Sequence, residues 1–336
     1  MRCLPLLLLA ACARGPAQEE TPPPERDADR PPLELPDVSD VDFEAAFLDA
    51  LRLARTIDAR AAWAGHRASL AHRSPGCPDL WFGEPEELDG RPVGLHWADA
   101  CNTGDGTGFD GIVHWTSDLL VQQIGGQRTE EASRELTANG VVLQGDDVLF
   151  ELDGAAEDSL YLLDGGASRW VYNSLVRGTV TGTLAFPDGA STPTGYRADL
   201  YLRATGGDVD TLEVRGEAYF FGPRVQERFD SLAVDLSMTG PEGLGPDDCA
   251  LEPTGWIALR DAQAYWYDLV FLPASSDDSS SEPYPNEPRS VCDGCGTLYV
   301  RGVESGEICL DFDFLFDGSS GLPELADYIL GLHDLP

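Results

Sequence analysis

The sequence has no lysine, so all 22 of its basic residues are arginine, and 59 acidic residues outnumber them. The formal net charge is −37. This charge works against binding to DNA or RNA, because phosphate backbones are bound by surfaces that supply neutralising cations. We therefore expect no nucleic-acid partner. The same acidity keeps a protein soluble and tolerates divalent cations.

Catalytic motifs and long apolar runs are also missing. The 336 residues contain neither GxSxG nor HExxH, the patterns of the serine-hydrolase nucleophile elbow and of zinc proteases. Histidine is scarce, with five residues. The apolar run at residues 3–11 is interrupted by Pro5. It is shorter than the roughly 20 residues that a membrane-spanning helix needs.

The N-terminus is typical of an export signal, with Arg2 before a short apolar run and small residues after it. The segment "LAAC" at residues 9–12 resembles the lipobox of bacterial lipoproteins. This resemblance implies that residues 1–11 are removed as a signal peptide and that Cys12 becomes an acylated N-terminus in the cell envelope. The residue after it, Ala13, implies the outer membrane rather than the inner one. The alternative is an ordinary secretory signal cut nearby.

The organisation of the chain follows from its composition. Residues 12–38 are rich in proline and charge, and such a segment cannot bury enough apolar surface to offset its ordering entropy. They are therefore predicted to form a disordered tether. Residues 39–336 are long enough for one β-rich domain, or for subdomains at 39–160 and 161–336. Residues 275–290 are predicted to form a mobile polar loop.

Beyond the tether the sequence has six cysteines: Cys77, Cys101, Cys249, Cys292, Cys295 and Cys309. An even number in an exported chain favours disulfides over a zinc site or a redox pair. Cys77 and Cys101 lie far from the others and are predicted to pair. The other four allow three connectivities, one of them a bridge from Cys292 to Cys295. The pattern "CDGCG…GEICLDF" is similar to that of exported bacterial lipoproteins and implies no activity.

Hydrophobic periodicity predicts a mainly β fold. Apolar residues alternate with polar ones in several consecutive segments, which predicts an antiparallel meander of roughly 10 to 14 strands. Such a meander forms a curved sheet, a barrel or a sandwich. Three-four spacing predicts one long N-terminal helix at residues 39–73 and short helices at 128–140 and 322–332.

The segment "ACNTGDGTGFDG" at residues 100–111, with the residue before it, is the weak candidate for a metal site. Its oxygen ligands for Ca²⁺ would be Asp99, Asn102, Asp105 and Asp110. The spacing does not fit an EF-hand loop, and the alternative is a plain turn between two strands. We expect no cofactor, with Ca²⁺ at this segment as the exception to be tested.

Two histidines, His96 and His114, flank the same turn, and each precedes a tryptophan. Together with a nearby acid they would suit Zn²⁺. The alternative is cross-strand packing, in which a hairpin brings His96 near Trp115 and Trp97 near His114.

The triplet Tyr265, Trp266 and Tyr267 has alternating orientation, so one face is expected in the core and the other is a candidate binding surface for a sugar ring or a protein. We expect a lipid-anchored envelope protein with a binding or structural role, whose partners are the membrane and an envelope protein or glycan. The alternative is an exported hydrolase with a site assembled from scattered acidic and histidine residues.

Overall fold

The computed structural model describes residues 37–82, 94–98, 100–124, 127–163, 169–185, 191–207, 210–221, 225–240, 251–271 and 293–316. The helices are α1 (Phe43–Thr56), α2 (Ala59–Leu70) and α3 (Asp313–Phe316). The strands are β1 (Leu80–Phe82), β2 (Gly94–Ala98), β3 (Cys101–Asn102), β4 (Thr107–Ile124), β5 (Gln127–Gln144), β6 (Asp147–Leu162), β7 (Trp170–Ala185), β8 (Ser191–Gly206), β9 (Thr211–Phe220), β10 (Phe229–Thr239), β11 (Thr254–Asp261), β12 (Trp266–Phe271), β13 (Cys295–Val300) and β14 (Val303–Cys309).

All the strands belong to one antiparallel sheet, which confirms the mainly β fold class. The hydrogen-bonded order is β1-β2-β4 and then every following strand in sequence to β14, with β3 paired to β4 at the side. The order does not close on itself, so among the three predicted architectures the structure is the curved open sheet. This sheet continues across residue 160, where the alternative boundary was drawn.

Two helices replace the single helix predicted at 39–73. The break lies at Asp58, which takes an extended backbone conformation with φ −128° and ψ 165°. Its carboxylate accepts a hydrogen bond from the backbone N–H of Ala61 at 3.1 Å and so caps α2. Asp42 caps α1 in the same way through Ala45. The prediction was wrong because the apolar period continues across a residue that starts a new helix.

The helix predicted at 128–140 is also wrong, because these residues form most of β5. Glu, Ala, Arg and Leu are good helix formers, but β5 pairs along its length with β4 on one side and β6 on the other. Tertiary pairing therefore overrides the local preference. Gly140 does not end a helix but faces Gly111 of β4.

The inner face of the sheet packs against α1 and α2. The ring of Phe43 in α1 lies 5.6 Å from that of Tyr267 in β12, and the ring of His66 in α2 lies 4.8 Å from that of Trp115 in β4. Strands from β4 to β12 would span roughly 40 Å in a flat sheet. The sheet therefore curves around the helices, and the enclosed side chains form one hydrophobic core.

A glycine pair marks one bend of the sheet. Gly154 of β6 faces Gly178 of β7, and both have positive φ, +147° and +127°. A Cβ added to Gly154 would lie 2.1 Å from the carbonyl oxygen of Arg177. Strands approach this closely where a sheet is strongly curved, and only glycine fits there.

Two disulfides lie within the described residues. Cys77 pairs with Cys101, as predicted, and Cys295 pairs with Cys309 across the hairpin of β13 and β14. The second bond corrects the alternative of a direct Cys292–Cys295 bridge. Cys249 and Cys292 lie outside the described residues.

Several predictions fall outside the described part of the chain: the signal at 1–11, the tether apart from residues 37 and 38, the loop at 275–290 and the helix at 322–332. None of the helices in the described segments is long and apolar enough to cross a bilayer.

Candidate binding surface

The outer face of the sheet carries aromatic and charged side chains on β9 to β13. One row across the strands contains Tyr219, Arg260 and Trp266. The guanidinium of Arg260 lies 5.3 Å from the ring centroid of Tyr219 and 5.8 Å from that of Trp266. It also pairs with Asp230 at 3.5 Å. This row is therefore a stack of two rings around a cation.

A second row of large side chains runs parallel to the first, four residues away along each strand. It contains Arg215, Asp235, Trp256 and Val270. Arg215 pairs with Asp235 at 3.1 Å. Trp256 is 39% exposed, which is a large apolar surface for one side chain in solvent.

The row between these two has alanine at two neighbouring positions, on β10 and β11. Glu217, Ala233, Ala258, Asp268 and Tyr299 face one another on successive strands β9 to β13, and we call this row the alanine trough. Ala258 is only 2% exposed although it belongs to the outer face. The larger neighbours on both sides therefore rise above it. Four strand spacings give the trough a length of about 19 Å.

Asp268 is the unusual member of the alanine trough. It is half-buried between Ala258 and Tyr299, and burial raises the pKa of its carboxyl above the ordinary value. Among the residues that the structure describes, no hydrogen-bond donor and no cation pairs with it. A carboxylate that is partly removed from water without a partner is a frequent mark of a functional site.

The predicted triplet divides between the two faces. Tyr267 is fully buried, and its hydroxyl donates to Asp261 at 2.8 Å. Trp266 faces outward in the first row of the surface. Tyr265 precedes β12 and lies under the guanidinium of Arg301, 4.6 Å from its ring centroid. Trp266 therefore contributes to the candidate surface, and Tyr267 does not.

Three of the four predicted Ca²⁺ ligands lie in the described residues: Asn102 on β3, Asp105 in the turn that follows and Asp110 on β4. Asp105 accepts from the hydroxyl of Thr103 and from the backbone N–H of Thr107, and these bonds hold the pKa of its carboxyl well below its usual range. Its other oxygen lies 3.2 Å from Nδ1 of His72. Asn102 and Asp110 are exposed on β3 and β4, and Asp99 lies outside the described residues. The segment contains a turn between β3 and β4, and the Ca²⁺ site stays a prediction.

The two histidines face each other on β2 and β4, since the Cα partner of His96 is His114. The predicted register, with His96 near Trp115, was off by one residue. His114 is exposed, and the side chain of His96 is outside the described part of the chain. In the described segments the one group with metal-ligand spacing is Cys295, Glu307 and Cys309, and its two sulfurs already form a disulfide.

An acidic depression lies elsewhere on the outer face, on β4 to β6. It has a volume of about 220 Å³, and its polar lining includes Asp110, Asn139, Glu151 and Asp153. Its lining includes Gly111, where an added Cβ would lie 2.1 Å from the carbonyl oxygen of Asn139 on the neighbouring strand. Its carboxylates are not within metal-ligand distance of one another in the described structure.

Four charged residues lie near the interface of α2 and the sheet, of which three are buried and Arg60 is partly exposed. Arg134 of β5 binds Asp158 of β6 through two bonds, Nε to Oδ1 at 3.0 Å and an Nη to Oδ2 at 2.6 Å. Arg60 binds Asp58 at 2.6 Å. Burial works against the charge of Arg60, but Asp58 raises its pKa above the ordinary value. The guanidinium of Arg60 also lies over the ring of Tyr172 in β7, 5.1 Å from its centroid, and this contact joins α2 to the sheet.

His66 lies in the core beside this cluster. It is 2% exposed, and neither ring nitrogen has a hydrogen-bond partner in the described structure. Burial lowers the pKa of its imidazole to about 3. The ring is therefore neutral in the folded protein, while in the unfolded chain it titrates near its ordinary value of about 6.5.

We expect this difference to make stability depend on pH. Between pH 6.5 and 3 the unfolded chain binds a proton at His66 that the folded protein does not. The free energy of unfolding is therefore unaffected by this residue above pH 6.5 and falls by about 1.4 kcal/mol per pH unit as pH drops toward 3. Replacing His66 with phenylalanine should flatten the dependence between pH 6.5 and 5, measured by denaturant unfolding at each pH. The exposed control His114→Gln should keep the parental slope. If His66→Phe keeps the parental dependence of unfolding free energy on pH, the buried His66 is not its cause.

The sequence did not single out the alanine trough or the buried charges. Ala233 and Ala258 look like ordinary strand residues, and they become a trough floor only when the strands are in register. Arg134 was not recognised as an inward-facing residue, because its segment was predicted to be a helix. The available signal was its inward position between Ala132 and Leu136 in a strand, where an arginine needs a buried partner.

Comparisons with protein families, with curated proteins and with solved structures find no match for this chain.

Proposed function

We propose that the protein is a lipid-anchored binding protein of the bacterial cell envelope, attached to the outer membrane, and that it holds an envelope partner on the outer face of its sheet. The observation that carries the proposal is the alanine trough, with its aromatic walls and its unpaired carboxylate. The inner face is filled by two helices and a core, which leaves the outer face for a partner. Tyrosine, tryptophan and arginine are enriched at protein-binding surfaces.

The hydrolase alternative has weaker support. His72 and Asp105 make a histidine–carboxylate pair of the kind that orients a catalytic base. In the described structure no hydroxyl or thiol is hydrogen-bonded to the other ring nitrogen of this histidine. The pair instead joins the end of α2 to the turn that contains Asp105.

The binding role can be tested by photo-crosslinking in cells that make the protein. A photoreactive residue at Val270, in the wall of the alanine trough, should give a discrete adduct that Trp256→Ala abolishes. The same residue at Ile112, which is 58% exposed on β4, is the matched control. Equal labelling from both positions, or an adduct that survives Trp256→Ala, would contradict a partner at the trough.

The lipid anchor predicts a defined N-terminus. The mature protein should begin at acylated Cys12, and several acyl chains should hold it in the detergent phase at about 0.8 kcal/mol per buried CH₂. Mass spectrometry of the N-terminal peptide measures this directly. Cys12→Ser should remain unprocessed, whereas the neighbouring Cys3→Ser should mature normally. An intact Met1 in the parent protein, or a free N-terminus at Arg14, would show that the lipobox is not used.

A further inference from the structure

The outer face already shows how this protein accommodates a cation. The guanidinium of Arg260 lies between the rings of Tyr219 and Trp266 and pairs with Asp230. Aromatic faces and a carboxylate together attract a cation more strongly than either does alone. A guanidinium suits such a position because it is planar and weakly hydrated.

The alanine trough contains the same groups without the cation. The carboxylate of Asp268 lies opposite Tyr299, and Trp256 is its diagonal neighbour through Ala258. Diagonal neighbours on a sheet are about 7–8 Å apart, within reach of aromatic side chains. No described residue supplies a positive charge to Asp268.

The chain's own arginines nearby are already engaged. Arg260 is paired with Asp230, and Arg215 lies 2.6 Å from Glu213 and 3.1 Å from Asp235. At the other end of the trough, Glu217 accepts a hydrogen bond from Tyr219 at 2.9 Å. In the described structure it has no ion pair. Within the described residues the trough therefore has two carboxylates without an ion pair, Glu217 at its β9 end and Asp268 on β12.

We propose that the alanine trough binds a basic polypeptide segment and that Asp268 receives one of its arginine or lysine side chains between Trp256 and Tyr299. This inference rests on the proposed binding function and adds the chemistry of the partner. The net charge of −37 favours a positively charged partner at long range. An extended segment of about six residues matches the 19 Å length of the trough.

A neutral glycan is the competing occupant, because sugar rings also stack on aromatic side chains. A glycan would gain less binding free energy from this surface than a basic peptide. Hydroxyl groups satisfy an ordinary carboxylate, but they do not neutralise one that burial already disfavours as an anion. Asp268 therefore favours a cationic partner over a neutral one.

The test is calorimetric titration of the full-length protein in detergent at about 0.15 M salt, where long-range attraction is screened. The probe is a blocked hexapeptide of alternating Arg and Ala. Its counterpart has citrulline in place of arginine, which keeps the shape and removes the charge. A neutral hexasaccharide is the third probe. Circular dichroism confirms that each variant is folded.

We expect the arginine peptide to bind at one saturable site, with the citrulline peptide at least about tenfold weaker. Asp268→Asn should weaken the arginine peptide by a similar factor. Asp153→Asn removes the same charge from an exposed position on β6 and should have no effect. Trp256→Ala should also weaken binding.

The opposite results separate the two proposals. Equal effects of Asp268→Asn and Asp153→Asn would mean diffuse attraction only, and would overturn the assignment of Asp268. If the hexasaccharide binds, needs Trp256 and tolerates Asp268→Asn, the trough is a binding surface but its partner is not basic. If no probe binds, the inference fails, and the crosslinking experiment then decides the binding function independently.

Discussion

Replacing Asp158 with alanine is expected to lower the free energy of unfolding by about 3–5 kcal/mol, because it removes the carboxylate that pairs with the buried guanidinium of Arg134. The two side chains are 0% and 5% exposed and face each other directly on β6 and β5. The guanidinium lies over the ring of Trp63, 5.0 Å from its centroid. Burial, together with the negative charges of Asp58 and Asp158, raises the pKa of the neighbouring Tyr172, which therefore stays neutral.

A matched surface pair provides the control. Arg177 and Asp199 also face each other on adjacent strands, but they are 65% and 59% exposed and 3.5 Å apart. Asp199→Ala should change stability by less than about 1 kcal/mol, since exposed pairs contribute little. Denaturant midpoints at constant slope measure both variants. Similar losses at the two positions would show that burial of the pair does not matter.

A double replacement shows whether Asp158→Ala destabilises the protein through the loss of the charge pair or through the loss of packing. Arg134→Met combined with Asp158→Leu removes both charges and keeps apolar contact with Trp63. We expect it to recover most of the loss, because apolar replacement of a buried ion pair is often neutral or stabilising. A double variant as unstable as Asp158→Ala would mean that shape, and not charge, makes the pair important.

The fold class was predictable from the sequence because alternation is local. The segment at 196–204 places Leu200 and Leu202 on one face and Arg197 and Asp199 on the other, and β8 has that arrangement. A strand with one buried face requires this pattern whatever its neighbours are. The same reasoning failed for β5, because Arg134 occupies an inward position and interrupts the apolar alternation.

The candidate site was less predictable because it depends on register. Trp266 was recognised as a surface aromatic, since alternation alone separates it from Tyr267. Asp268 was not, because its burial without a partner depends on Ala258 and Tyr299, which lie 10 and 31 residues away in the sequence. No local pattern shows which residues face each other across three strands. The sequence thus predicted the orientation of a side chain but not the chemistry of its surroundings.

The bend at β6 and β7 gives the second large effect. Gly178→Ala is expected to cost about 3–5 kcal/mol, from a φ that only glycine adopts easily and from a clash with the neighbouring strand. Its φ is +127°, and an added Cβ would lie 2.2 Å from the carbonyl oxygen of Asp153. The neighbouring backbone cannot move aside without breaking its pairing. Gly154→Ala should be equally damaging, since the two glycines face each other.

Two other glycines distinguish the cost of a positive φ from the cost of a clash with the neighbouring strand. Gly145 has a φ of +63° in the turn between β5 and β6, with no atom within 4 Å of an added Cβ. Gly145→Ala should therefore cost only about 1–2 kcal/mol, the penalty of a left-handed backbone. Gly104 has neither a positive φ nor a close neighbour, so Gly104→Ala should be nearly neutral. Unfolding midpoints of the variants give the comparison. If Gly178→Ala costs no more than Gly145→Ala, close approach of the strands does not require glycine at the bend.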